Sequence, residues 1–82
     1  MPNLKDAIQM IDELIADTNV PRNVRTKLEE AKKELNNTKV EKEIRIGKVV
    51  TMMDEISIDI NLPLYARTKI WNIVSILESI KR

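Results

Sequence analysis

NLPLYARTKIWNIVSILESIKR, residues Asn61 to Arg82, is the most apolar stretch of the chain and holds both of its aromatic residues, Tyr65 and Trp71. Within it Ala66, Ile70, Ile73, Val74, Leu77 and Ile80 recur at three- and four-residue steps, the spacing of one helix face. Pro63 suits a helix's first turn and disfavours helical backbone at the residue before it. An ungapped echo lies 42 residues upstream: NVPRNVRTKLEEAKKELNNTKV, Asn19 to Val40, repeats the Asn-x-Pro opening and the Arg-Thr-Lys that follows.

Between residues 5–40 and 47–82, eleven of 36 pairs are identical, where about two or three are expected by chance. Among them are Asp12/Asp54, Asp17/Asp59, Asn19/Asn61, Pro21/Pro63, Arg25/Arg67, Thr26/Thr68 and Leu35/Leu77. A duplicated helical hairpin is expected, its two copies pairing about a pseudo-two-fold axis. Asn3 fits an N-cap with Asp6 in the first turn, and Leu4, Ala7, Ile8, Ile11, Leu14 and Ile15 then mark a first helix over about 4–17. Asp17-Thr-Asn-Val-Pro21 breaks it, and a second helix over about 21–36 carries the thin stripe Val24, Leu28, Ala31 and Leu35. Thr38-Lys-Val-Glu41 fits a capping box opening a third helix over about 39–58, which buries Ile46, Val49, Val50, Met53 and Ile56. Asp59-Ile-Asn-Leu-Pro63 repeats the earlier breaker before a fourth helix over about 63–81. Short connections make neighbours antiparallel. The expected fold class is therefore all-α: a four-helix up-and-down-type bundle of two repeated hairpins, about 4–36 and 39–82, forming one domain over residues 1–82.

Composition narrows the chemistry. The chain has no Cys and no His, so disulfides, thiolate metal sites and imidazole acid–base chemistry are closed to it. Ser57, Ser75 and Ser79 sit in no nucleophile motif, and Gly47, the single glycine, forms no phosphate-cradling loop. Asp12-Glu13 and Asp54-Glu55 resemble the carboxylate pairs of dimetal bundles, but those need inward Glu-x-x-His pairs, and Glu13 and Glu55 point away from the core stripe. No enzyme, cofactor or metal site is expected. The start lacks a signal-peptide pattern and no apolar run is long enough to span a bilayer, so a cytoplasmic protein with no membrane partner is expected.

With 14 basic and 13 acidic residues the net charge is +1, which does not announce nucleic-acid binding. Basic residues interleave with Glu along the second and third helices, as on a solvated face. An accessory nucleic-acid role would rest on Arg22, Lys32, Lys33 and Lys48, with Arg25 beside them. Arg25 and Asp12 fall level in the first hairpin, as Arg67 and Asp54 do in the second, and the expectation is two structural ion pairs, Asp12–Arg25 and Asp54–Arg67. Asn19 and Asn61 are expected to cap the second and fourth helices or to shape the turns. Thr26 and Thr68 lie nearly opposite the apolar stripes.

Function is most legible where the two halves differ. Arg22, Asn23, Glu29 and Glu34 of the second helix become Leu64, Tyr65, Trp71 and Ile76 of the fourth. All four lie off the core stripe, and burying a large apolar side chain contributes roughly 1.5–3 kcal/mol. Either the fourth helix is innermost and these residues contact its neighbours, or they open onto a self-association or partner surface, where Trp and Tyr often serve as anchors.

The stretches DxxVPRNVRxxxEEA, Asp17 to Ala31, and PLYARTKIWNIVSILESI, Pro63 to Ile80, resemble uncharacterised protein family 0147, a family of small archaeal proteins. The resemblance covers essentially the whole chain and implies an all-α four-helix bundle from an archaeal cytosol. It implies no activity, substrate or catalytic residue. The resulting expectation is a small helical protein-interaction or self-associating module, with candidate interface residues Leu64, Tyr65, Trp71 and Ile76.

Overall fold

Four helices account for about three quarters of the computed structural model, which describes residues 3–81: α1 (Leu4–Ile15), α2 (Arg22–Leu35), α3 (Lys42–Ser57) and α4 (Leu64–Lys81). Residues 1, 2 and 82, which the sequence reading placed in the same domain, lie outside the described residues. Helix α1 opens on a reciprocal cap: the Asp6 N–H donates to Asn3 Oδ1 and the Asn3 N–H to Asp6 Oδ2, each at 3.1 Å. This satisfies two of the backbone donors that a helix start leaves free.

Each helix packs closely on its sequence neighbour, and α1 also packs on α4, whereas the backbones of the diagonal pairs α1–α3 and α2–α4 stay further apart among the described residues. The result is a square, up-down-up-down bundle with all-α class as expected. Its core is one apolar column drawn from every helix, including Ile11, Leu14, Leu28, Leu35, Ile46, Met53, Ile70, Ile73 and Leu77, each almost fully buried. No polar side chain is buried with them among the described residues. No helix here is both long and apolar enough to cross a membrane.

The three connections share one five-residue geometry. After the C-cap residues Ala16, Asn36 and Ile58 come Asp17, Asn37 and Asp59. Their side-chain Oδ1 atoms accept the N–H two residues on, from Asn19 at 2.8 Å, Lys39 at 3.3 Å and Asn61 at 2.8 Å. In each loop the fourth residue, Val20, Val40 or Leu62, donates its N–H to the first residue's carbonyl at 3.1 Å. Val20 and Leu62 then bury their side chains under the bundle's end. These are Asx turns, and the side chain that makes the turn is Asp17 or Asp59. To these turns Asn19 and Asn61 contribute their backbone N–H.

The second connection corrects the expected start of α3. Thr38 does not cap a helix with Glu41; Asn37-Thr-Lys-Val40 is used up by the turn, Glu41 becomes the N-cap residue without a side-chain bond, and α3 begins three residues later than expected.

A second correction concerns the ion pairs. Arg67 does not meet Asp54: its Nε donates to the Ser57 carbonyl at 2.8 Å and its Nη2 to the Asp59 carbonyl at 3.0 Å. Arg45 donates likewise to the Leu35 carbonyl. Each of these guanidiniums thus donates to the last carbonyl of the preceding helix, Leu35 or Ser57, which the helix itself cannot satisfy, and Arg67 reaches the turn carbonyl of Asp59 as well. The fork of donors spans the Ser57 and Asp59 carbonyls at once. Arg25 holds the equivalent position, its Nε buried, with no carboxylate within ion-pair distance among the described residues. Asp12 instead pairs with Lys32 at 2.7 Å, which leaves the expected Asp12–Arg25 and Asp54–Arg67 bridges both unformed.

Candidate interaction face

Residues related by the 42-residue offset make reciprocal contacts at the end of the bundle where the first and third connections meet. Tyr65 Oη donates to the Asp17 carboxylate, and Asn23 Nδ2 donates to Asp59 Oδ2 at 3.1 Å. Each hairpin thus reaches into the other's turn. The Tyr65 hydrogen bond, then the Asn19 N–H, then Lys69 and Arg25 hold the Asp17 carboxyl below its usual value. The same bond raises the Tyr65 hydroxyl above its usual value. The Asn61 N–H and then the Asn23 amide lower Asp59. Tyr65, expected at an interface, therefore has an internal task for its hydroxyl. Thr26 and Thr68 also acquire an account: each hydroxyl donates to the carbonyl one turn earlier, Arg22 at 3.1 Å and Leu64 at 3.2 Å.

Of the remaining candidates, Ile76 is partly buried against the core. Leu64 is 70% exposed and Trp71 is 53% exposed. Seven residues apart on α4, they share one line on its outer flank. Helix 4 is therefore not an innermost element; like the others it buries one stripe, Ala66, Ile70, Ile73 and Leu77.

Two further exposed apolar side chains join them. Ile44 is 58% exposed and Ile58 is 78% exposed. They lie fourteen residues apart, with Thr51 between at the seven-residue step, so all three sit at one azimuth of α3. That azimuth lies opposite the buried stripe Ile46, Val49, Met53 and Ile56, so they stand on the outward side of α3, with Gly47, near Lys81 of α4, on one flank and Arg45, which reaches α2, on the other. Leu64 and Trp71 on α4, Ile44 and Ile58 on α3, and Ile60 of the third connection, 91% exposed, thus all face outward. Sequence reasoning missed Ile44 and Ile58, although their heptad spacing off the stripe Ile46, Val49, Met53 and Ile56 was a usable signal.

Helix α4 carries a shallow depression of about 370 Å³ on its C-terminal half, bounded by Val74, Ser75, Glu78 and Ser79. The α1–α2 face differs. There the positions equivalent to Leu64 and Trp71 are Arg22 and Glu29, which line a polar depression of about 210 Å³ with Ile15, Arg25 and Thr26.

The residues proposed for nucleic acid are scattered and partly neutralised. Lys32 pairs with Asp12 at 2.7 Å and Lys48 with Glu34 at 3.4 Å, while Arg22 and Lys33 are exposed on α2. Such surface pairs contribute little stability, but they interrupt any continuous basic stripe. Among the described residues no three His, Cys, Asp or Glu side chains are grouped to hold a metal ion.

Comparison with known proteins agrees with this architecture. The model of the uncharacterised protein family UPF0147 matches residues 2–80. A UPF0147 protein of Sulfurisphaera tokodaii is 37% identical over 78 residues, covering 95% of this chain and 88% of the relative. One from Metallosphaera sedula is 38% identical over the same coverage. Among solved structures, a protein of unknown function superimposes with a TM-score of 0.90 at 43% identity, covering 96% of this chain and 90% of that one. A UPF0147 protein from Thermoplasma acidophilum superimposes with a TM-score of 0.89 at 33% identity, covering 93% and 89%. By family model, sequence and fold, the chain belongs to the uncharacterised protein family UPF0147.

Proposed function

We propose that this protein is a non-enzymatic helical interaction module of the cytoplasm that binds a protein partner, its own copy included, through the outer α3–α4 face. The observation that carries the reading is the exposure of Leu64 and Trp71 on one line of α4's outer flank, with Ile44 and Ile58 turned outward on the neighbouring α3, all more than half exposed. Exposed apolar residues scattered singly need no explanation, whereas a group on one face marks an interaction surface. Full burial of each such side chain contributes roughly 1.5–3 kcal/mol. Because each is already partly covered, the four together supply only several kcal/mol, set against the entropy lost on association. Trp71 at the middle of the face is the natural anchor.

The opposite face supports the assignment by contrast, since Arg22 and Glu29 replace Leu64 and Trp71 there. The test compares wild type with Trp71→Glu, immobilised for capture from native archaeal lysate and, in parallel, measured for solution mass. Wild type is expected to gain a partner or a second copy that the variant loses, with identical circular dichroism. A wild type that stays monomeric and captures nothing beyond what Trp71→Glu captures overturns the reading.

A further inference from the structure

Resting on that reading, the geometry points to a second copy of this chain as the occupant of the face, bound antiparallel so that Trp71 of each copy enters the other's depression between Val74, Ser75, Glu78 and Ser79. Knob and depression lie on the same flank of one helix, Trp71 standing out from it and the depression centred five to six residues further along. That offset corresponds to about 8 Å along the helix axis. A parallel pairing brings identical residues level, setting Trp71 against Trp71 and leaving both depressions empty. An antiparallel pairing with its two-fold axis near Val74 fills both at once, which is the self-complementarity of an isologous interface.

The chemistry of the depression suits an indole. A buried Trp seeks an acceptor for its N–H, and Glu78 with the Ser75 and Ser79 hydroxyls supplies acceptors on the rim. Glu78 is exposed and has no ion-pair partner among the described residues, so its carboxylate is free to accept. The small side chains of Ser75 and Ser79 let a second helix approach closely, and Gly47 behind them on α3 adds no bulk, the nearest atom to a methyl built there being Lys81 Nζ at 3.7 Å. With the axis near Val74 the two α4 helices overlap from about residue 66 to Lys81, roughly 22 Å of the bundle's 32 Å length, so the pairing centres on Trp71 and the depression and leaves Leu64 at its rim.

Light scattering and site-specific cross-linking test the pairing. Wild type is expected at twice its 9.5 kDa chain mass, with Trp71 emission, from the single Trp of the chain, shifting to the red on dilution. Trp71→Glu is expected to be monomeric with unchanged helicity. Because the chain has no cysteine, single cysteines report the register. With helix axes 8–10 Å apart, Ser75→Cys places its two copies about 6 Å apart between Cα atoms, within disulfide reach. Ser79→Cys separates them by about 16 Å along the axis. Mild oxidation is therefore expected to link Ser75→Cys and not Ser79→Cys. A monomeric wild type, a dimer that survives Trp71→Glu, or linkage of Ser79→Cys in preference to Ser75→Cys overturns the inference. A monomeric wild type that binds a different protein through Trp71 overturns it while leaving the interaction reading intact, and loss of both kinds of binding overturns both.

Discussion

Arg67 and Asp54 separate two accounts of how the second hairpin is held, and a pair of substitutions decides between them. In the structure the Arg67 guanidinium clasps the Ser57 and Asp59 carbonyls at 2.8 and 3.0 Å, and Asp54 takes no part. Hydrogen bonds to charged groups contribute about 1.5–3 kcal/mol each. Arg67 is only partly buried, so water replaces part of what is lost, and Arg67→Met is expected to cost about 2–3 kcal/mol in total. For a domain of this size each kcal/mol moves the midpoint by about 4–8 °C, giving a fall in Tm of roughly 10–20 °C. Asp54→Asn touches an exposed side chain with no ion-pair partner and is expected to change stability by less than about 0.5 kcal/mol. Urea and thermal unfolding followed by far-UV circular dichroism measure both. Equal losses for the two variants would show that the cross-hairpin ion pair exists in solution and would refute the clasp.

Two further outcomes follow from single positions. Gly47 lies inside α3 with helical backbone, and an added methyl meets only the flexible end of Lys81 at 3.7 Å; Gly47→Ala is expected to stabilise by about 0.5–1 kcal/mol, read as a rise in urea midpoint. Asp17, lowered first by its Tyr65 hydrogen bond from an ordinary 3.8, favours folding above that value and loses this contribution as pH falls through its lower folded value. Tyr65, raised from an ordinary 10.0, favours folding below that value and loses the contribution as pH rises through its higher folded value. In Tyr65→Phe the alkaline loss is expected to shrink and the Asp17 carboxyl, followed by carbon NMR, to titrate at higher pH while Asp59 is unmoved.

Much of the fold was legible because helical period and turn chemistry are local. The stripes Ile11–Leu14, Leu28–Leu35, Ile46–Met53 and Ile70–Leu77 all point inward as their spacing demands, and three of the four helix starts fall within a residue of expectation. The start of α3 was misread because Asn37 replaces Asp and Glu41 replaces Pro, so an identity-based self-comparison at an offset of 42 residues passes over the second connection. What its turn keeps is chemical type: an Asx side chain, an aliphatic three residues on, and an Arg eight residues on, as in Asp17/Val20/Arg25, Asn37/Val40/Arg45 and Asp59/Leu62/Arg67. The ion pairs were misjudged for a related reason. Level positions across a hairpin say which side chains are near, whereas the carbonyls at the ends of α2 and α3, to which Arg45 and Arg67 donate, have no letter in the sequence. At the candidate site the divergence between halves left two alternatives open, contact with neighbouring helices or an outward surface; Leu64 and Trp71 stand exposed, while Tyr65 is tied to Asp17. That tie links residues 48 apart and no local pattern announces it.

The sharing of one turn geometry by all three connections also bears on chain topology. In a square of alternating helices with α1 against α4, the start of α1 and the end of α4 sit at the same end of the bundle, where the second connection also lies. The connections therefore form three sides of a circuit whose fourth side, between α4 and α1, is open, and α4 with 18 residues outruns α1 with 12 at that end. A fourth Asx turn of the Asp17-Thr-Asn-Val-Pro21 kind, inserted between the end of α4 and the start of α1, would complete the circuit. The chain could then be cut at Thr38 without moving a helix, so the order in which the helices are strung matters less to this fold than the turn that joins them.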